Sequence, residues 1–133
     1  MKAIGAYAIE YSTRRSFDET IRRVTERLAE QGFGVLTEID VQATLKKKLG
    51  VEVAPYRILG ACHPPSAHRA LGAVPEVGVL LPCNVTVSVE EGRTVVRAMN
   101  PRSALGILDS PELAEIAAEV GAALERVVRS LED

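Results

Sequence analysis

Val77-Gly78-Val79-Leu80-Leu81-Pro82-Cys83-Asn84-Val85-Thr86-Val87-Ser88-Val89, then Glu90-Glu91-Gly92, then Arg93-Thr94-Val95-Val96-Arg97-Ala98-Met99, is the stretch whose reading decides the fold. β-Branched and aliphatic residues dominate both arms, as a pleated and half-buried surface requires. Glu90-Glu91-Gly92 between them supplies a turn. The stretch therefore reads as a hairpin of two strands, Val77 to Val89 and Arg93 to Met99. Sequence alone leaves the register open, because Pro82 and Cys83 interrupt the ladder or lie at its edge.

Reading outward, residues 100–108 look irregular. Ser110-Pro111 then opens the longest helix, since proline at the first helical position removes only an amide without a partner. Its stripe is Leu113, Ile116, Ala117, Val120, Leu124, Val127, Val128 and Leu131, one-sided enough to need a sheet beneath it. Upstream of the hairpin, Val53 to Ala61 is extended. Pro64-Pro65 begins a short helix with Ala67, Ala70 and Leu71 as a small apolar face before Gly72. Earlier still, Ala3 to Tyr11 reads as one strand, and Ser16-Phe17-Asp18-Glu19 has the spacing of a capping box. Phe17, Ile21, Val24 and Leu28 follow as a helical stripe that ends near Gly32. Phe33 to Ile39 is a second strand, and Asp40 caps a short helix carrying Val41, Leu45 and Leu49 up to Gly50.

Strands adjacent late in the chain, with one strand-helix-strand unit early, fit an antiparallel sheet better than a doubly wound parallel one. The predicted fold class is α+β: a mainly antiparallel sheet with helices packed on one side, as a single domain over residues 1–133. A chain of 133 residues buries enough surface for one core. Hydrophobic residues at 47% and charged residues at 26% are ordinary globular values, and no apolar run is long enough for a membrane span. A net charge of −2 and 4% aromatic residues give neither a field to attract a polyanion nor rings to stack on bases, which argues against nucleic acid. No export signal is evident at the N-terminus, so the expected location is cytoplasmic, where thiols stay reduced.

Chemistry is expected where the two cysteines stand. Cys62 in Tyr56-Arg57-Ile58-Leu59-Gly60-Ala61-Cys62-His63-Pro64-Pro65, and Cys83 in Leu80-Leu81-Pro82-Cys83-Asn84-Val85, each fall where a β-type run meets a turn, with a polar residue next along. Cys62, His63, Cys83 and Asn84 are the candidate ligand-binding residues, with Arg57 offering a fork to an anion or, on the plainer reading, pairing with Glu38 or Asp40. Cys62, His63 and Cys83 are also soft or borderline ligands that suit zinc or monovalent copper. His68 reads as an exposed helix residue, because five residues along a helix point it away from His63. Packing of both thiols as small hydrophobes is the structural alternative. Ser66 stands near His63, but proximity alone makes no hydrolase. No nucleotide, metalloprotease or nucleophile-elbow motif is present.

Tyr56 to Cys62, then Pro64-Pro65 and Ala67, then Leu80 to Val85, preceded by Glu38-Ile39-Asp40 and a Lys-Leu-Gly ending at Gly50, resemble the prokaryotic family catalogued as domain of unknown function 302 over close to the full length. The resemblance implies a curved antiparallel sheet carrying helices in a TATA-binding-protein-like arrangement, assembled as a homodimer. It implies no activity, and fold likeness to a DNA-binding protein is no evidence for DNA binding. The family pattern has asparagine after the first cysteine, where this chain has His63. Three functions follow in order: a module binding a small molecule or soft metal in a two-cysteine cleft, a thiol-dependent redox enzyme or sensor, and a homodimeric interaction module with structural cysteines.

Overall fold

The computed structural model describes residues 1–132. Six strands form one open antiparallel sheet in the order β1-β2-β6-β5-β4-β3, with helices on one side. In chain order the elements are β1 (Lys2–Ile4), β2 (Ala8–Thr13), α1 (Phe17–Glu30), β3 (Gly34–Asp40), α2 (Val41–Leu49), β4 (Tyr56–Cys62) and α3 (Pro64–Ala73). A 3₁₀ turn (Pro75–Leu80), β5 (Cys83–Glu90), β6 (Arg93–Met99), α4 (Pro101–Gly106) and α5 (Pro111–Ser130) complete the chain. The α+β class and the one-sided helical layer are as expected.

The deciding hairpin is β5–β6. Glu90 pairs with Arg93 and Val85 with Ala98, and the two-residue loop works because Glu91 and Gly92 both take positive φ, 51° and 76°. Period-two alternation then sorts the side chains. Leu59, Val85, Ala98 and Ile9 form one row across β4, β5, β6 and β2 on the helical face, and Ala61 lies beside Cys83. On the other face a row of Ile39, Ile58, Thr86, Arg97, Glu10 and Lys2 crosses all six strands. Its charged end is tied together by Arg97, which donates to Glu10 at 2.7 Å and, through both terminal nitrogens, to Glu90 at 2.5 and 3.0 Å. Those bonds, with a further one from Ser88, hold the Glu90 carboxyl down to about 2.

The long helix supplies most of the opposing layer. Leu113, Ile116, Ala117, Val120, Leu124, Val127 and Val128 are all buried on α5, as its stripe predicts, and meet Val24 and Leu28 of α1 in one core. Ser110 and Ser16 cap their helices by accepting from Leu113 and Glu19 backbone amides. At Gly121 the guanidinium of Arg102 occupies the space a side chain would need, from which it donates to Glu125 at 2.9 Å and fastens α4 to α5.

Three boundaries differ from the sequence reading. The single N-terminal strand is two, because Gly5 takes φ 51° and turns the chain between Ile4 and Ala8. β5 begins at Cys83 rather than Val77, since Pro75 opens a 3₁₀ turn whose Val79 faces solvent, and a cis Leu81–Pro82 bond precedes the strand. Within residues 100–108 lies α4, capped by Asn100 and opened by Pro101.

Candidate functional site

The site lies where β4 ends. Cys62 is the last residue of β4, His63 the N-cap of α3, and Pro64 and Pro65 its first two residues. Those prolines remove two of the amides that a helix start leaves without partners, which suits a helix that borders an apolar space. Cys83 opens β5, paired with Ala61 one residue before Cys62. The strand register thus sets the two cysteines, with 20 residues between them in sequence, at diagonal positions on neighbouring strands.

Both thiols line a cavity of about 290 Å³ beneath α3. Ala67, Ala70 and Leu71 of α3, Ile116 and Val120 of α5, Leu105 of α4 and Leu36 of β3 line it. The small side chains of α3 account for the space: alanines facing α5 cannot reach across the gap. Among the described residues no Asp, Glu, Lys or Arg lines it. Its polar groups are the thiols and one pair, His63 Nδ1 and Ser66 Oγ, which share a hydrogen bond of 2.8 Å.

His63 is firmly held. Its ring meets Phe33 edge-on at a centroid separation of 5.3 Å and lies against Gly32, where a φ of 84° and the close approach to Nε2 make any side chain strained and tight. Cys83 is 5% exposed. Burial, and secondarily the neighbouring Cys62, push its thiol up to about 11, so it stays protonated at neutral pH. Cys62 is only half-buried.

Of the expected site residues, Cys62, His63 and Cys83 come together around this cavity, and Asn84 and Arg57 do not. Asn84 follows Cys83 on β5, so alternation sends it to the solvent face, where it is exposed. Arg57 donates to Glu38 at 2.6 Å, lies 3.6 Å from Asp40 and stacks 5.5 Å over the Phe17 ring, the plainer of its two readings. His68 is exposed, as its spacing predicts. Among the described residues no three His, Cys, Asp or Glu side chains are grouped to hold a metal ion. The zinc or copper set of Cys62, His63 and Cys83 is therefore not assembled, and the His63 ring is engaged with Ser66 instead. Ser66 is the site residue that sequence reasoning set aside. The signal was its place three residues after a helix N-cap, the same spacing that pairs Ser16 with Glu19.

The family profile described as domain of unknown function DUF302 matches residues 9–131. The chain belongs to the DUF302 family. A crystal structure of an uncharacterized conserved DUF302 protein from Bacillus stearothermophilus is similar at 33% identity, with a TM-score of 0.86, over 92% of this chain and 95% of that one. No curated protein matches the chain. DUF302 membership secures the α+β fold and leaves the activity to be argued from the cavity. No helix among the described residues of this DUF302 chain is long and apolar enough to cross a membrane.

Proposed function

We propose that this DUF302 domain is a binding module for a small, uncharged, largely apolar molecule, held beneath α3 and oriented by the His63–Ser66 pair. The observation that carries the reading is an apolar space of about 290 Å³ with a single hydrogen-bonded polar pair on its wall. An enclosed apolar cavity of about 150 Å³ accepts benzene; the space beneath α3 is half-open to solvent. This one is nearly twice that, enough for a medium-length hydrocarbon chain or a fused pair of rings. A cavity of that size costs packing contacts throughout its lining, and a bound ligand restores them. Charged ligands are disfavoured, since no opposite charge lines the walls to offset desolvation. We propose further that the protein works in a reducing cytoplasm, where both free thiols stay unpaired.

The test is a titration with 1-N-phenylnaphthylamine, an uncharged probe that brightens in apolar surroundings. Uptake displaced by 1-octanol but not by 1,8-octanediol is expected, because the diol's second hydroxyl would be buried without a partner. At about 100 times its dissociation constant, a bound ligand adds ~2.7 kcal/mol of stability. Absence of probe uptake together with an unmoved melting temperature would refute the proposal.

A second reading is favoured by a separate surface. No residue of α2 is buried, and Leu49, Val51, Val53 and Ile39 are exposed beside the free edge of β3. Glu38 and Asp40 on that strand, paired with Arg57, and Lys46-Lys47-Lys48 on α2 give the surface both signs of charge, which a self-complementary contact between copies can use. We infer a homodimer through it, checked by light scattering with Leu49→Glu. A native monomer at micromolar concentration would dismiss it.

A further inference from the structure

Building on the cavity as an uptake site, the geometry points to a covalent modification site: Cys62 captures apolar α,β-unsaturated carbonyl compounds whose hydrocarbon tail lies beneath α3. Cys62 lines the cavity and is only half-buried, so the residue stands within reach of both a bound molecule and water. Cys83, on the same wall, is 5% exposed, and its sulfur has no hydrogen-bond partner among the described residues. This buried thiol without a hydrogen-bond partner lines the same space as Cys62. Burial keeps that second sulfur protonated and away from water, which leaves the half-buried Cys62 as the nucleophile.

Chemical matching narrows the partner. With no acidic or basic side chain on the wall, the cavity offers nothing to an anion and little to a cation. A polarizable thiol at the end of an apolar slot suits a soft carbon electrophile carrying an alkyl tail. His63 and Ser66 stand on the same wall, where an N–H or O–H of the pair can donate to the carbonyl oxygen. In the step itself the Cys62 sulfur bonds to the β-carbon and the carbon–carbon π pair moves toward the carbonyl as an enolate. The thiol proton passes to water at the open side, and the α-carbon takes a proton back from water. One S–H and one π bond are lost, one S–C and one C–H bond are gained, and nothing is oxidised or reduced. A disulfide between Cys62 and Cys83 would need an oxidant; this addition needs only the electrophile.

The experiment compares adduct formation with trans-2-pentenal, trans-2-heptenal and trans-2-nonenal on the native protein, read by intact mass and peptide mapping, with glutathione as reference. If the tail is bound, the rate on Cys62 rises by up to about fourfold per added methylene, the factor set by burying one CH₂, until the tail outgrows the cavity. Glutathione shows no such trend. 1-Nonanol slows the nonenal reaction, Cys62→Ser abolishes the adduct, and Ala70→Leu, which narrows the space, brings the nonenal rate down to that of pentenal. Should either variant fold poorly, the nonanol competition on the native chain decides the matter alone. A rate independent of chain length, or adducts found on Cys83 or on surface lysines and histidines instead, would overturn the inference. If phenylnaphthylamine still binds in that case, capture fails while uptake stands; if it does not, both fall.

Discussion

Filling the cavity from its α3 wall should make the protein more stable and less able to bind. Ala70 is 2% exposed, sits on α3 and lines the space beneath it. Ala70→Leu adds three carbons to a residue on the wall of the cavity, and leucine is nearly as good a helix former as alanine. At ~0.8 kcal/mol per buried methylene the gain is about 2.4 kcal/mol, reduced by roughly 0.5–1 kcal/mol of lost side-chain freedom. The net is about 1.5–2 kcal/mol. Unfolding entropy of about 2.1 cal/mol/K per residue converts this into a rise in melting temperature of roughly 5–7 °C. Differential scanning calorimetry measures the rise, and phenylnaphthylamine titration the accompanying loss of uptake. The two signs together are diagnostic, because ordinary core damage lowers both. A destabilised variant would mean that α3 and α5 already meet at native packing density, and the binding argument would lose its foundation.

Three other outcomes follow from particular contacts. Glu90 has its folded pKa held at about 2, against an ordinary value of 4.5, so its contribution is complete above about pH 4.5 and fades as pH falls toward 2. The Glu90 side chain is 43% exposed, so Glu90→Gln should remove less than about 1 kcal/mol from the acid dependence of unfolding; an unchanged slope between pH 5 and 2 contradicts the assignment. Gly60→Ala would drive a methyl into Thr37 Oγ1 and Pro82 Cγ, costing about 1–3 kcal/mol in denaturant unfolding, with partial recovery in the Thr37→Ala double variant. Because Cys83 is buried and protonated at neutral pH, iodoacetamide at pH 8 should add one label per native chain, on Cys62, and two after unfolding; rapid double labelling of the native chain would show the burial to be wrong.

What the sequence revealed and what it hid divide along physical lines. Amphipathic stripes are repeated signals: every position from Leu113 to Leu131 in the α5 stripe is buried, and the valine-rich arms do pair as β5 and β6. Single-residue events were harder to read. Gly5 splits one strand into two, and Pro75 turns an apolar run that looks like strand into a 3₁₀ turn, so Val79 is exposed despite its side chain. Tertiary placement overrode local preference there. At the site, the thiols and His63 stood out by chemistry. Asn84 was put beside them by sequence adjacency, which alternation on a strand undoes. The cavity itself had no residue to announce it, because a void is the difference between facing elements. Its one trace was the run of small residues on α3.

Ile116 and Val120 belong at once to the lining of the cavity and to the helix that anchors the core, whereas Ala67, Ala70 and Leu71 sit on a short helix with only Ser66 and Ala70 buried. The two walls therefore differ in evolvability. Changes on the α5 wall would trade recognition against folding, while the α3 wall can diverge with little penalty. Preference among guests should drift through α3, and homologues with different tastes would share a keel.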